Sequence, residues 1–133
     1  MTRNDIRLEH AFLTVRSLEQ TLDFYRQLFP SWIVRWQGNG SRGGRWLHFG
    51  APGSDQPSYL SFYEDAEAAA PDEAYTSARV QHIGFAHPDV AGLMHCLTQA
   101  GIAPLQEPID DGKYLRSYYA DPDGHELEFV QQI

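Results

Sequence analysis

The chain has one cysteine, Cys96, among its 133 residues. A lone thiol cannot close an internal disulfide, so burial has to hold the fold, and the chain suits a reducing compartment. Positive charge is also scarce, with ten Lys and Arg against eighteen Asp and Glu and a formal net charge of −8. The ten are scattered and form no basic stripe, which argues against a nucleic-acid partner. No apolar run approaches the roughly 20 residues that a membrane helix needs, and the opening Met1-Thr2-Arg3-Asn4-Asp5 is polar. The expectation is a soluble, cytoplasmic protein that binds a small molecule or another protein, not nucleic acid or a membrane. Its 42% hydrophobic content is enough for one domain with its own core.

What is present is an internal repeat. Residues 8–29 lie on residues 80–101 without a gap, at a shift of 72 positions that puts His10 on His82. Each copy has an alternating strand carrying the histidine, then a small polar residue suited to cap a helix (Ser17, Asp89), then apolar positions at helical spacing. In the first copy His10, Phe12 and Thr14 share one strand face, and Leu18, Leu22, Tyr25 and Leu28 or Phe29 form the helix's buried stripe, which Pro30 ends. Strands are expected over 32–36, 45–50 and 58–63, separated by Gly- and Pro-rich loops. The acidic, alanine-rich segment 64–77 has no apolar stripe and reads as a linker.

After it the order recurs. A strand over 79–86 leads to a helix from Asp89, with Val90, Leu93 or Met94, Leu97 and Ala100 inward and Gly101 as its stop. Strands follow near 103–107, 114–120 and 126–131, the last two joined by the tight turn Asp121-Pro122-Asp123-Gly124. The fold class is therefore α+β, a single domain over 1–133 with one βαβββ module at about 6–64, a linker at 65–77 and a second module at about 78–133. His87, His95 and His125 are expected to face solvent.

The paired halves, the early histidine in each, and above all residues 117–128 (SYYADPDGHELE) resemble the vicinal oxygen chelate superfamily. That superfamily includes glyoxalase I, fosfomycin-resistance thiol transferases, extradiol dioxygenases and bleomycin-resistance proteins. The resemblance implies two βαβββ modules forming a curved, partly open mixed sheet. It also implies a homodimer, because members enclose their sites by pairing modules within or between chains. Metal ligands are implied at the first-strand histidine, the fourth strand, the fifth-strand histidine and the eighth-strand glutamate, which fall on His10, Ser61, His82 and Glu128. Glu126 shares the strand face of Glu128 and competes with it by parity, but it directly follows the turn, and Glu128 matches the family position.

Two imidazoles and one carboxylate make a facial triad that leaves coordination positions open for substrate. Such a set takes one divalent metal ion; Zn²⁺, Ni²⁺, Fe²⁺ and Mn²⁺ all suit it. Tyr118 falls where related thiol transferases place a substrate-binding tyrosine, and its phenol suits a hydrogen bond or proton donation to an oxyanion. The shift of 72 puts Trp46 on Tyr118 and His48 on Ala120, which would turn Trp46, His48 and Tyr118 toward a cavity. Phe12, Trp46, His48, Ser61 and Tyr63 are the expected substrate-binding residues.

Two departures matter. Glyoxalase I needs a glutamate where this chain has Ser61, and Glu64 lies on the opposite strand face. The fosfomycin branch expects a threonine where this chain has Phe12. The resemblance thus implies a small metal-dependent enzyme acting on an oxygen-chelating substrate, by lyase, isomerase, dioxygenase or group-addition chemistry, and not an efficient glyoxalase I. The alternative is a dimeric, non-catalytic protein of the bleomycin-resistance type that sequesters a ligand.

Overall fold

The computed structural model describes residues 5–53, 55 and 58–133. Two sheets of four strands each carry the chain. The first module runs β1 (His10–Val15), α1 (Leu18–Leu28), β2 (Ile33–Asn39), β3 (Arg45–Gly50) and β4 (Tyr59–Glu64). The second runs β5 (His82–Ala86), α2 (Val90–Gln99), β6 (Ile109–Asp110), β7 (Tyr114–Ala120) and β8 (Glu126–Gln132). Strand order is β1-β4-β3-β2 in one sheet and β5-β8-β7-β6 in the other. In each, the histidine-bearing first strand lies parallel to the last, and the remaining pairs are antiparallel. This is the α+β, twice-βαβββ architecture expected from the repeat.

Alternation decides which face is buried. Leu47, Phe49, Leu60 and Phe62 form the apolar side of the first sheet, and Leu127, Phe129 and Tyr119 that of the second, all at most 3% exposed. On α1 the buried positions are Leu18, Thr21, Tyr25 and Leu28. Thr21 takes the place expected of Leu22, which is half-buried. The first-turn N–H of Leu18 donates to Glu64 Oε2 at 2.9 Å, which satisfies a donor that a helix start leaves open. On α2, Asp89 caps as expected, its Oδ1 accepting from Gly92 N at 2.9 Å. Val90, Leu93 and Leu97 are buried, whereas Ala100 is exposed, because it lies at the C-cap, beyond the packed turns.

Two strand expectations need correction. Residues 103–107 form no strand; β6 is the short Ile109–Asp110. Pro104 and Pro108 lack the N–H that a ladder requires, and a single bond, Leu105 N to Tyr118 O at 2.8 Å, reaches β7 from this segment. The uniform shift of 72 also fails beyond the helices. His48 lies opposite Ser61 in the first sheet and Tyr118 opposite Glu128 in the second, so counting from the parallel strand pair makes His48, not Trp46, the counterpart of Tyr118. The modules have loops of different length, and register follows hydrogen-bond partners rather than sequence offset.

Contacts divide the chain into two compact units, residues 1–19 with 29–68, and residues 20–28 with 69–133. Most of α1 therefore belongs with the second sheet. The tie is Tyr25, fully buried, whose phenol donates to Asp121 Oδ2 at 2.9 Å. Asp121 Oδ1 also accepts from the amides of Asp123 and His125, and Gly124, at φ 93°, closes the turn. Burial pushes the Tyr25 phenol well above its ordinary value and raises Asp121 above the usual carboxylate range. The native chain thus holds the Asp121 proton to higher pH than the unfolded chain, so this group's contribution to stability falls as pH climbs above 3.8.

Tyr25→Phe strips Asp121 Oδ2 of its donor inside the fold. It is expected to cost about 1–3 kcal/mol, read as a lower denaturation midpoint at unchanged slope. An unchanged midpoint would mean that the turn carboxylate is satisfied without the phenol.

Candidate metal centre

The open face of the first sheet is aromatic because its strands place His10, Phe12, Tyr59, Ser61, Tyr63, Trp46 and His48 on one side. Tyr59 lies between two imidazoles, its ring 5.0 Å from His10 and 4.3 Å from His48, stacked on both. Glu9 Oε1 accepts from the Tyr59 phenol and stands 3.2 Å from His10 Nδ1. These two contacts, His10 first, hold the Glu9 carboxyl below its ordinary value. Partial burial, with His10 and Arg35 adding to it, lowers His48, so its ring is neutral at pH 7.

Ser61, 5% exposed, sits between Phe12 and His48 in register. Phe12 is 59% exposed and stacks on Tyr63 at 6.2 Å, beside a cavity of about 940 Å³ under the loop that joins β2 and β3. That loop packs so closely that a Cβ on Gly44 would stand 2.4 Å from the Glu64 carbonyl oxygen. Glu64 itself points away, to Leu18 N and to the Arg45 guanidinium, as its strand parity requires.

The second sheet gathers the ionisable groups. β5 and β8 place His82 beside Glu126 and Gly84 beside Glu128, so both carboxylates share the histidine's face. His82 Nε2 lies 2.9 Å from Glu128 Oε2. Its other nitrogen, Nδ1, lies 3.6 Å from Glu126 Oε2 and 3.2 Å from the phenol of Tyr75. The two carboxylates therefore do not compete for one nitrogen; each addresses a different edge of the ring.

Glu128 is 8% exposed and well supported. Its Oε1 accepts from the Tyr118 phenol at 3.0 Å and lies 3.3 Å from Arg116 Nε. Arg116 is in turn held by Asp111. Burial first, and the Glu128 carboxylate second, raise the Tyr118 phenol, so it stays protonated and able to donate at neutral pH.

Of the nine residues expected to form the site, the second sheet brings together His82, Glu128 and Tyr118. The first sheet brings together His10, Phe12, Trp46, His48, Ser61 and Tyr63. Among the described residues no group of three or more His, Cys, Asp or Glu stands ready to hold a metal. What is present is a pair: one imidazole nitrogen and one carboxylate oxygen at 2.9 Å. Two donors bonded to one ion at right angles, with bonds of about 2.1 Å, stand roughly 3 Å apart, so the pair has the spacing of adjacent ligands.

Tyr59, Tyr75 and Arg116 were not expected at the site. Tyr59 and Arg116 were within reach of sequence reasoning, since each is two residues from an expected site position on its own strand. Tyr75 was not, because it lies in a segment without helix or strand.

Comparison with known proteins agrees with this fold. The sequence matches the family model described as glyoxalase/bleomycin resistance protein/dioxygenase superfamily over residues 7–129. The chain belongs to that superfamily. No curated protein matches the sequence. Among solved structures it is similar to a glyoxalase family protein from Enterococcus faecalis, with 18% identity, 96% of this chain and 98% of that chain covered, and a TM-score of 0.79. It is similar also to a glyoxylase/bleomycin resistance protein/dioxygenase domain from Frankia sp. EAN1pec, with 21% identity, 96% and 93% covered, and a TM-score of 0.78. A third is the fosfomycin resistance protein FosX from Listeria monocytogenes, solved with Mn(II) and sulfate, with 17% identity, 96% and 93% covered, and a TM-score of 0.68. No helix among the described residues is long and apolar enough to cross a membrane.

Proposed function

We propose that the protein is a cytoplasmic metal-dependent enzyme of its superfamily, acting on a small substrate that binds through adjacent oxygen atoms. The observation that carries this reading is the His82 Nε2 and Glu128 Oε2 pair at 2.9 Å, with Tyr118 and Arg116 supporting the carboxylate. His10 is the third ligand that the family pattern implies, and the proposed organisation is a single domain with modules at about 6–64 and 78–133 and a linker at 65–77. A divalent ion held by two imidazoles and a carboxylate supplies Lewis acidity for an enolate, alkoxide or oxyanion.

The chain's own residues do the rest. Tyr118 keeps its proton and offers a hydrogen bond, or the proton itself, to a developing oxyanion. Phe12, Trp46 and Tyr63 present apolar surface to the substrate, with His48 and Ser61 beside them. Listeria FosX, which shares the fold, was crystallised with Mn(II), and Mn²⁺ is the first metal to try.

A second reading has its own observation. The aromatic face of the first sheet suits a non-catalytic homodimer that sequesters an aromatic ligand. Elemental analysis of protein purified without added metal or affinity tag separates the two. One transition metal per chain, from Zn, Ni, Fe or Mn, is the outcome expected of the enzyme, and a metal-free chain that takes up no added ion favours sequestration. A homodimer is expected on both readings, and light scattering that finds only monomer at micromolar concentration would count against that arrangement.

A further inference from the structure

The cavity beside Phe12 has an aromatic floor and two polar walls. Phe12 and Tyr63 make the floor, their rings stacked with centroids 6.2 Å apart. The β2–β3 loop, residues 40–44, makes one wall, and residues 64–67, where β4 ends, make the other. Glycine lets the loop close on the floor: a Cβ on Gly40 would stand 2.9 Å from the Tyr63 ring, and one on Gly44 2.6 Å from it. The volume of about 940 Å³ is that of a small-molecule site.

The charges on the two walls are of opposite sign, and most are already paired. Arg45 donates to Glu19 and Glu64, and Asp65 Oδ1 accepts from the Glu67 amide at 3.0 Å within its own turn. Two groups are left over. Neither the Arg42 guanidinium nor the Glu67 carboxylate has a hydrogen-bond or ion-pair partner among the described residues, and they form no ion pair with each other although both border the cavity.

We propose that this cavity binds a substrate that carries an α-amino-acid group on an aromatic body, with its carboxylate on Arg42, its ammonium on Glu67 and its ring against Phe12 and Tyr63. The proposal rests on the reading above, in which Phe12 and Tyr63 face the substrate, and it names the substrate's class. A guanidinium takes a carboxylate through two parallel N–H···O bonds, and an ammonium brings three donors to a carboxylate. The ammonium is also attracted to the Phe12 ring, which is exposed. A simple acid would leave Glu67 unpaired, and it would approach a chain of net charge −8 against repulsion. A simple amine would leave Arg42 unpaired. Only a ligand with both charges satisfies both walls.

The test uses the full chain, stripped of metal with a chelator, and three probes that share one ring. These are L-phenylalanine, 3-phenylpropionate, which lacks the ammonium, and phenethylamine, which lacks the carboxylate. Calorimetric titration should show L-phenylalanine binding about 10-fold more tightly than either of the others. Arg42→Gln should weaken L-phenylalanine and 3-phenylpropionate about 10-fold and leave phenethylamine unchanged. Glu67→Gln should weaken L-phenylalanine and phenethylamine by the same factor and spare 3-phenylpropionate. Both positions are exposed and outside helix and strand, so the variants keep the fold.

Phe12→Ala checks the place, and it should weaken all three probes alike. Parent-like binding in Phe12→Ala would put the ligand elsewhere and overturn the proposal. Equal affinity for the three probes, a loss in Arg42→Gln or Glu67→Gln that is the same for all three, or no binding of any probe at millimolar concentration would overturn it as well. The metal reading is tested apart from this. A chain that takes up Mn²⁺ but none of the probes sinks the amino-acid site and leaves the metal reading, whereas a chain that takes up no Mn²⁺ yet shows the Arg42 and Glu67 pattern does the reverse.

Discussion

His82→Ala and Glu128→Ala are expected to lose nearly all metal binding while keeping the fold. Each removes one of two donors that the second sheet holds 2.9 Å apart. One donor of the pair then remains, and the affinity should drop by well over the roughly 100-fold that loss of an outer partner costs. The fold survives for a different reason. β5 and β8 are joined by backbone hydrogen bonds from His82–Glu126 to Ala86–Val130, and the buried side of that sheet rests on Leu127, Phe129 and Tyr119, none of which is altered. In His82→Ala the buried Glu128 still accepts from Tyr118 and keeps Arg116 beside it.

Chelator competition with Mn²⁺ measures the first claim, and circular dichroism with a thermal melt checks the second. His10→Ala should behave like the other two if the first sheet supplies the third ligand. A His82→Ala variant that binds as tightly as the parent would mean that the assigned pair is an ordinary ion pair. Glu126→Ala, on the same strand face, is the control and is expected to bind as the parent does.

Turnover of the hemithioacetal of methylglyoxal and glutathione is expected to stay near background with Ni²⁺, Zn²⁺, Mn²⁺ or Fe²⁺. That isomerisation takes a proton from one carbon and returns it to its neighbour, which calls for a base whose pKa lies near the working pH. The position that would supply the base on β4 is Ser61, whose hydroxyl cannot act as one at neutral pH. Glu64, the nearest carboxylate along the strand, is turned to the other face and occupied by Leu18 N and Arg45. His48, across from Ser61, is a neutral imidazole, but it is packed between Trp46 and Tyr59.

A rate typical of enzymes, on the order of 10 per second, would overturn this argument and point to His48 as the base. Near-background turnover together with tight metal binding would direct the substrate search toward compounds that present two adjacent oxygens to the metal.

Much of the fold could be read from residues 8–29 and their copy at 80–101, since strand alternation and helical spacing are local and the repeat doubles the signal. The limits of β3 and β7 match the expected ones for the same reason. Alternation also placed Glu126 and Glu128 on one strand face without reference to any partner. What failed was anything that depends on partners. The offset of 72 misaligned Trp46 and His48, because sheet register is set by hydrogen bonds across strands and the two modules have loops of different length. The expected strand at 103–107 failed because Pro104 and Pro108 withhold the donors its apolar residues seemed to promise.

The amino-acid sequence by itself therefore determined the twofold βαβββ order, the capping of α2 by Asp89, the tight turn at 121–124 and the side of each strand that carries the polar groups. These depend on neighbours within a few residues and on parity. Tertiary structure alone decided that most of α1 packs with the second sheet through Tyr25 and Asp121, because no periodicity names the surface a helix stripe will meet. It also decided that Glu128 faces one nitrogen of His82 while Glu126 and Tyr75 face the other. The division of labour between two carboxylates of equal parity depends on ångström-scale distances around a single ring, and a one-dimensional pattern does not contain them.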